Sequence, residues 1–165
     1  MIEKSAEKYG VIKMRYLIFS FWFIIIHTVA YTFAGAVALK LSKDLYEKQK
    51  RLIDYVRDMS DESDRKHVEK WFLPAQVIRG LLMSMVLYPI LNLLGDTDFL
   101  IRFIFLSSLM FIYTDVGSAI PFPHNIEGLV YMKPKYLNRK AMGKLYLEMV
   151  IYSLVFGLLT GWFLF

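Results

Sequence analysis

A chain of 165 residues that is 56% hydrophobic, with 20 Lys and Arg against 15 Asp and Glu, is too apolar for a soluble domain of its size. It has no cysteine, which excludes disulfides, thiol redox chemistry and cysteine–zinc sites. The net charge of +5 resides mostly between long apolar runs, and nothing in the pattern points to nucleic acid.

Those runs predict an all-α, polytopic membrane protein. A single domain, 1–165, has four transmembrane helices at 15–39, 74–94, 98–120 and 145–165. Each is close to the ~20 residues that cross a hydrocarbon layer about 30 Å thick. The bilayer is therefore the first partner. The first run, Tyr16 to Leu39, is too long for a signal-peptide core and has no convincing cleavage site, so it is expected to be retained. Ala30, Ala34 and Ala38 recur within it at four-residue spacing beside Gly35, a groove suited to close helix packing. His27 lies near its middle, with Thr28 and Tyr31 close by. A lone histidine at that depth reads as hydrogen-bonded structure rather than a haem or metal ligand.

The charged segment 40–73 reads as helical in two pieces. Leu41, Leu45, Leu52, Val56 and Met59 form a loose apolar stripe. Asp44–Lys48, Glu47–Arg51 and Lys50–Asp54 stand at i,i+4 spacing. The acidic run from Asp58 to Asp64 breaks this piece before a second one leads to Trp71. Asp58, Ser60, Glu62 and Glu69 imitate a calcium loop, but Ser63 stands where the sharp turn needs glycine.

Pro89 predicts a kink in the second span after Met85, with Ser84 compensating the freed carbonyl. Gly95, Asp96, Thr97 and Asp98 then make a tight turn. The second and third spans should therefore form an antiparallel hairpin, with Asp96 or Thr97 capping the third. Arg79 lies five residues past Pro74 and Asp115 six before Pro121. At 1.5 Å rise per residue both are roughly 7–9 Å inside one boundary, which predicts an Arg79–Asp115 ion pair. Arg102, near the opposite boundary, is expected to snorkel toward Asp98 or the surface. Pro121 and Pro123 are expected to stop the third span, and Gly128 to permit the turn beyond them. The fourth span carries Ser153, Gly157 and Gly161 at four-residue spacing and runs to Phe165, with no tail expected. Its small-residue groove should pack on the first span or form an oligomer seam.

Fourteen of the basic residues fall in 40–73 and 121–144. Lys4, Lys8, Lys13 and Arg15 alone lie on the other side. The excess predicts both longer segments in the cytoplasm and both termini outside, in a bacterial or archaeal plasma membrane. Trp22 and Trp162 would then lie toward the outer face and Trp71 at the cytoplasmic boundary. Gln76, Arg79, Asp115, Ser118, His124 and Glu127 gather near that boundary as the candidate binding cluster, with Glu148 and Tyr152 beside them. Glu127 is expected to turn inward toward Arg79. His124 and Glu127 have H-x-x-E spacing. Yet a chain with three histidines and no paired-histidine motif, serine elbow or glycine-rich phosphate loop points to no catalytic residue, metal or cofactor.

The run "IEGLVYMKPKYLNRKAMGKLYLE" over 126–148 resembles the cytoplasmic coupling loop of type-2 ABC exporter permeases, which receives force from an ATPase. With "YTFAG", "IRGLL" and "IEGLVY", the whole pattern also resembles small four-span bacterial membrane proteins of uncharacterised function. Both resemblances imply a cytoplasmic loop 121–144, and neither transfers a catalytic residue. The expectation is a non-enzymatic component of a larger membrane assembly in transport or envelope processes, with 40–73 and 121–144 as its contact surface for protein partners. Two alternatives stay open. One is a small lipid-modifying enzyme or lipid-binding protein whose basic rim attracts anionic headgroups; the other is a homo-oligomeric channel or carrier.

Overall fold

The structure, a computed structural model, describes residues 2–47 and 51–165, with side chains from Met14 onward. The side chains of Lys4, Lys8 and Lys13, and the pairs Asp44–Lys48 and Lys50–Asp54, lie outside what it describes. The described residues are helical or irregular, with no strand. Four helical stretches are long and apolar enough to cross a membrane: Met14–Leu41, Glu62–Gly95, Phe99–Val116 and Arg139–Phe163.

Helix α1 (Ile2–Leu41) buries one face through Phe19, Phe23, Ile26, His27, Ala30, Ala34 and Ala38. That ladder of three- and four-residue steps is the period of a single helix face. Leu17, Phe21, Trp22, Ile25, Val29 and Phe33 point outward, as suits a surface whose solvent is lipid. After α2 (Lys43–Tyr46), α3 (Glu62–Leu87) is capped by Asp61, whose side chain accepts from the Asp64 amide. Pro89 does interrupt the second span. The chain tightens into a 3-10 turn over Tyr88–Ile90 and resumes as α4 (Leu91–Gly95). Here the expected compensation is corrected: the Met85 carbonyl is taken by the Tyr88 amide, while Ser84 Oγ donates to the Leu81 carbonyl at 2.7 Å.

Helix α5 (Phe99–Ser108) has Asp98 at its N-cap, not Asp96 or Thr97, and without a side-chain bond. The span continues as a π-helical segment, Leu109–Val116. It ends when the Gly117 amide reaches back to the Ile112 carbonyl at 2.6 Å, four residues before the predicted limit at 120. Pro121 and Pro123 therefore lie in the irregular exit rather than at the helix end. A short helix α6 (Ile126–Tyr131) follows, and α7 (Arg139–Phe163) starts six residues earlier than the predicted 145, because Asn138 accepts from the Lys140 and Ala141 amides.

Helix α1 packs along both α3 and α7, and α5 packs on α7. The second and third spans are thus held together at their turn, not along their length. The groove of Ser153, Gly157 and Gly161 also differs in its partner. A Cβ on Gly157 would strike Ser107 of α5 and the Phe103 carbonyl, and one on Gly161 would meet Phe99 and Arg102. The glycine face of α7 therefore serves the third span. Gly35 touches nothing within 4 Å of its virtual Cβ, so it is no part of the alanine seam.

The charged segment is helical at its ends and irregular over 51–61. Leu45 and Ile53 fold onto Ala141 and Leu145 of α7, with Leu52, Tyr55 and Val56 packed around them. The Leu52 amide donates to the Asp44 carbonyl at 2.9 Å and the Met59 amide to that of Tyr46 at 2.8 Å. A short free-standing helix is marginal, and folding back buries Leu45 and Ile53. Arg51 consequently pairs with Asp58 at 3.5 Å instead of Glu47.

Candidate functional site

Three helices meet at His27, which is fully buried. Its Nδ1 is 2.8 Å from Tyr152 Oη of α7 and its Nε2 is 3.1 Å from Gln76 Oε1 of α3. With Gln76 Oε1 accepting from Nε2–H, Nδ1 is the acceptor for the tyrosine hydroxyl, so a neutral ring satisfies both partners. Gly80 makes this possible. A Cβ there would come within 3.1 Å of Ile24 Cα and 3.2 Å of the His27 ring.

Arg79, one turn along α3 from Gln76, is half-buried and stacks on two tyrosines. Its guanidinium carbon is 5.2 Å from the Tyr31 ring centre and 5.9 Å from that of Tyr152. It has no ion pair among the described residues. The predicted Arg79–Asp115 pair is therefore corrected. It assumed that the second and third spans pack side by side, whereas α3 lies on α1 and α5 on α7.

Asp115 pairs instead with His124, Oδ1 to Nε2 at 2.6 Å, with both side chains buried. This bond folds the irregular exit segment back under the end of the third span. The His124 ring also meets Phe122 and Tyr146 edge-on. Asp115 Oδ2 and His124 Nδ1 are buried without a partner among the described residues. Among the described residues no hydroxyl is hydrogen-bonded to the pair, which ties the exit of the third span to that span's last turn.

Asn125, not predicted, organises the same loop. It is 2% exposed. Its Oδ1 accepts from the Phe122 and Gly128 amides at 3.0 and 2.7 Å, and its Nδ2 donates to the Ile120 carbonyl at 2.7 Å. Gly128 is needed for contact rather than for a turn: its φ is not positive, but a Cβ there would collide with the Phe122 carbonyl. Ser118 contributes a weak bond from the Ile120 amide at 3.4 Å. Glu127 is half-buried and makes no ion pair with Arg79, contrary to expectation.

Glu148, one turn before Tyr152 on α7, accepts from the Tyr46 hydroxyl at 2.6 Å. Burial and this neighbouring carboxylate raise the Tyr46 phenol well above its ordinary value. Asp44 receives Lys144 and, at 3.5 Å, Lys140. The Lys144 hydrogen bond holds the Asp44 carboxyl below the usual range. Near the opposite end, Arg102 is buried rather than snorkelling. It donates to the carbonyls of Leu94, Gly95, Thr97 and Gly161 at 2.8, 3.3, 2.6 and 3.0 Å, and its guanidinium lies 5.1 Å from the Phe165 ring centre.

The predicted cluster thus divides. Gln76 and Arg79 join His27, Tyr31 and Tyr152 between the first, second and fourth spans. Asp115, Ser118, His124 and Glu127 belong to the exit of the third. Among the described residues no three of His, Asp and Glu come together in a way that could hold a metal ion. Comparison with family models, curated proteins and solved structures finds no match to this chain.

Proposed function

We propose that this integral membrane protein is a non-enzymatic component of a larger membrane assembly, with the loop end of the bundle as its docking face for a protein partner. One observation carries the reading. Helix α6 exposes Ile126, Leu129, Val130 and Tyr131 at 57%, 52%, 67% and 71%, although Asn125 and Gly128 hold its backbone rigidly in place. An ordered apolar face beside Lys133, Lys135, Arg139 and Lys140 suits a partner with an apolar groove and an acidic rim. The resemblance of 126–148 to a coupling loop agrees with this, and the basic excess of the same end supports a cytoplasmic location.

Purification from native membranes in a mild detergent tests the reading. A second protein should co-migrate with the chain and be lost with Val130→Asp. Recovery of this chain alone, with its bound lipid, defeats the proposal.

A further inference from the structure

We infer that Arg79, together with the Tyr31 hydroxyl, binds the phosphate of an anionic membrane amphiphile in the leaflet at the loop end. An arginine inside a transmembrane span needs a counter-ion, a cavity or a route to the interface. Arg79 lies within Glu62–Gly95, and no carboxylate among the described residues comes within 4.0 Å of it.

Three acids of this end are turned to other partners, and Glu127 makes no ion pair among the described residues, with Arg79 or any other cation. Glu148 accepts from Tyr46, Asp115 holds His124, and Asp44 holds Lys140 and Lys144. The rings of Tyr31 and Tyr152 orient the guanidinium and attract it, but a ring face does not neutralise a charge. Its edge donors therefore stay available in the fork geometry that suits phosphate. The Tyr31 hydroxyl donates to no acceptor among the hydrogen bonds of the described side chains and supplies a further donor alongside. The platform itself is rigid, because Tyr152 is bonded to His27 and His27 to Gln76.

The depth is right for a headgroup. A helix side chain leans toward the N-terminus, and that end of α3 is the loop end. Tyr31 lies beside Phe72, with ring centres 6.0 Å apart, so the Arg79 guanidinium reaches back to about the level of Phe72. Trp71, half-exposed, adjoins that level as an interfacial anchor, with the Lys70 ammonium 5.5 Å from its ring centre. Leu82 and Val86, three and seven residues beyond Arg79 and so on its side of α3, are exposed, offering an acyl chain the rest of its path. This inference rests on the membrane location alone and does not require the partner proposed above.

Native mass spectrometry of the purified chain in detergent, titrated separately with phosphatidylglycerol and with diacylglycerol, tests it. Phosphatidylglycerol should be retained, and diacylglycerol, which keeps the chains without the phosphate, should not. Arg79→Gln should weaken retention about tenfold. Tyr31→Phe, which keeps the ring and so protects the fold, should weaken it about threefold. Equal retention of the two lipids, or unchanged binding by both Arg79→Gln and Tyr31→Phe, overturns the inference. Displacement of the lipid by inorganic phosphate at millimolar concentration would assign the site to a soluble phosphate and overturn the amphiphile.

Discussion

Tyr152 Oη and His27 Nδ1 lie 2.8 Å apart, fastening the fourth span to the first at the point where Gln76 of the second reaches the other ring nitrogen. Tyr152→Phe keeps the ring and removes this bond together with the weak contact of the hydroxyl to Met110 Sδ at 3.6 Å, so it should cost about 0.6–1.7 kcal/mol, the range of hydrogen bonds between membrane helices. His27→Ala also strands Gln76 and opens a void, and should cost about 2–3 kcal/mol. Reversible unfolding in mixed micelles would give both values. Equal losses would mean that the histidine acts through one partner only.

Arg102 should prove less replaceable than its place near a membrane surface suggests. Arg102→Ala leaves carbonyls of two segments unpartnered, a loss of about 3–5 kcal/mol. Arg102→Lys restores the charge but not the planar fork, so it should recover less than half of that. Thermal unfolding of both variants in the same detergent checks the order.

The glycines divide by what surrounds them. Gly157→Ala should be destabilising through contact with Ser107, and Ser107→Ala should relieve part of the clash, leaving the Ser107 amide nitrogen and the Phe103 carbonyl as residual obstacles. Gly143→Ala and Gly35→Ala meet nothing within 4 Å and should stabilise by about 0.5–1 kcal/mol each, by helix propensity alone. A destabilising Gly35→Ala would place that face against a second molecule.

The attachment of 51–61 to α7 should weaken in acid. Asp44 has its carboxyl below the ordinary 3.8 in the folded chain, first through its Lys144 hydrogen bond. Its contribution is present above that ordinary value and is lost as pH falls through the lower folded one. Hydrogen exchange at the Leu52 amide, which donates to the Asp44 carbonyl, should therefore accelerate relative to the rest of the chain below about pH 3.8. Asp44→Asn should show the faster exchange already at neutral pH and no acid step.

The number of spans and their rough limits are legible because an apolar run of membrane length has few other uses. Which helices touch is not, since lipid-facing and interior surfaces are equally apolar and the periodicity that marks a buried face in water is weak. The Arg79–Asp115 expectation failed for this reason: a short turn brings two helix ends together without requiring their lengths to pack. His27 carried the right kind of expectation, hydrogen-bonded structure, but its partners came from two other spans. Asn125 was open to discovery, since asparagine directly before a helix, three residues ahead of glycine, is a capping pattern. The 3-10 turn follows from Pro89, whereas the π-helical segment at Leu109–Val116 has no breaker within it.

The arginine wrapped by its own turn bears on how the chain is made. Three of the four carbonyls around Arg102 belong to Leu94, Gly95 and Thr97, all within eight residues of it. They are in reach as soon as the second and third spans leave the ribosome, before α7 has emerged. During insertion the cation can thus travel already coordinated by the hairpin that carries it, and the Gly161 carbonyl closes the shell last. A charge that would oppose translocation becomes the clasp that lets two spans enter together.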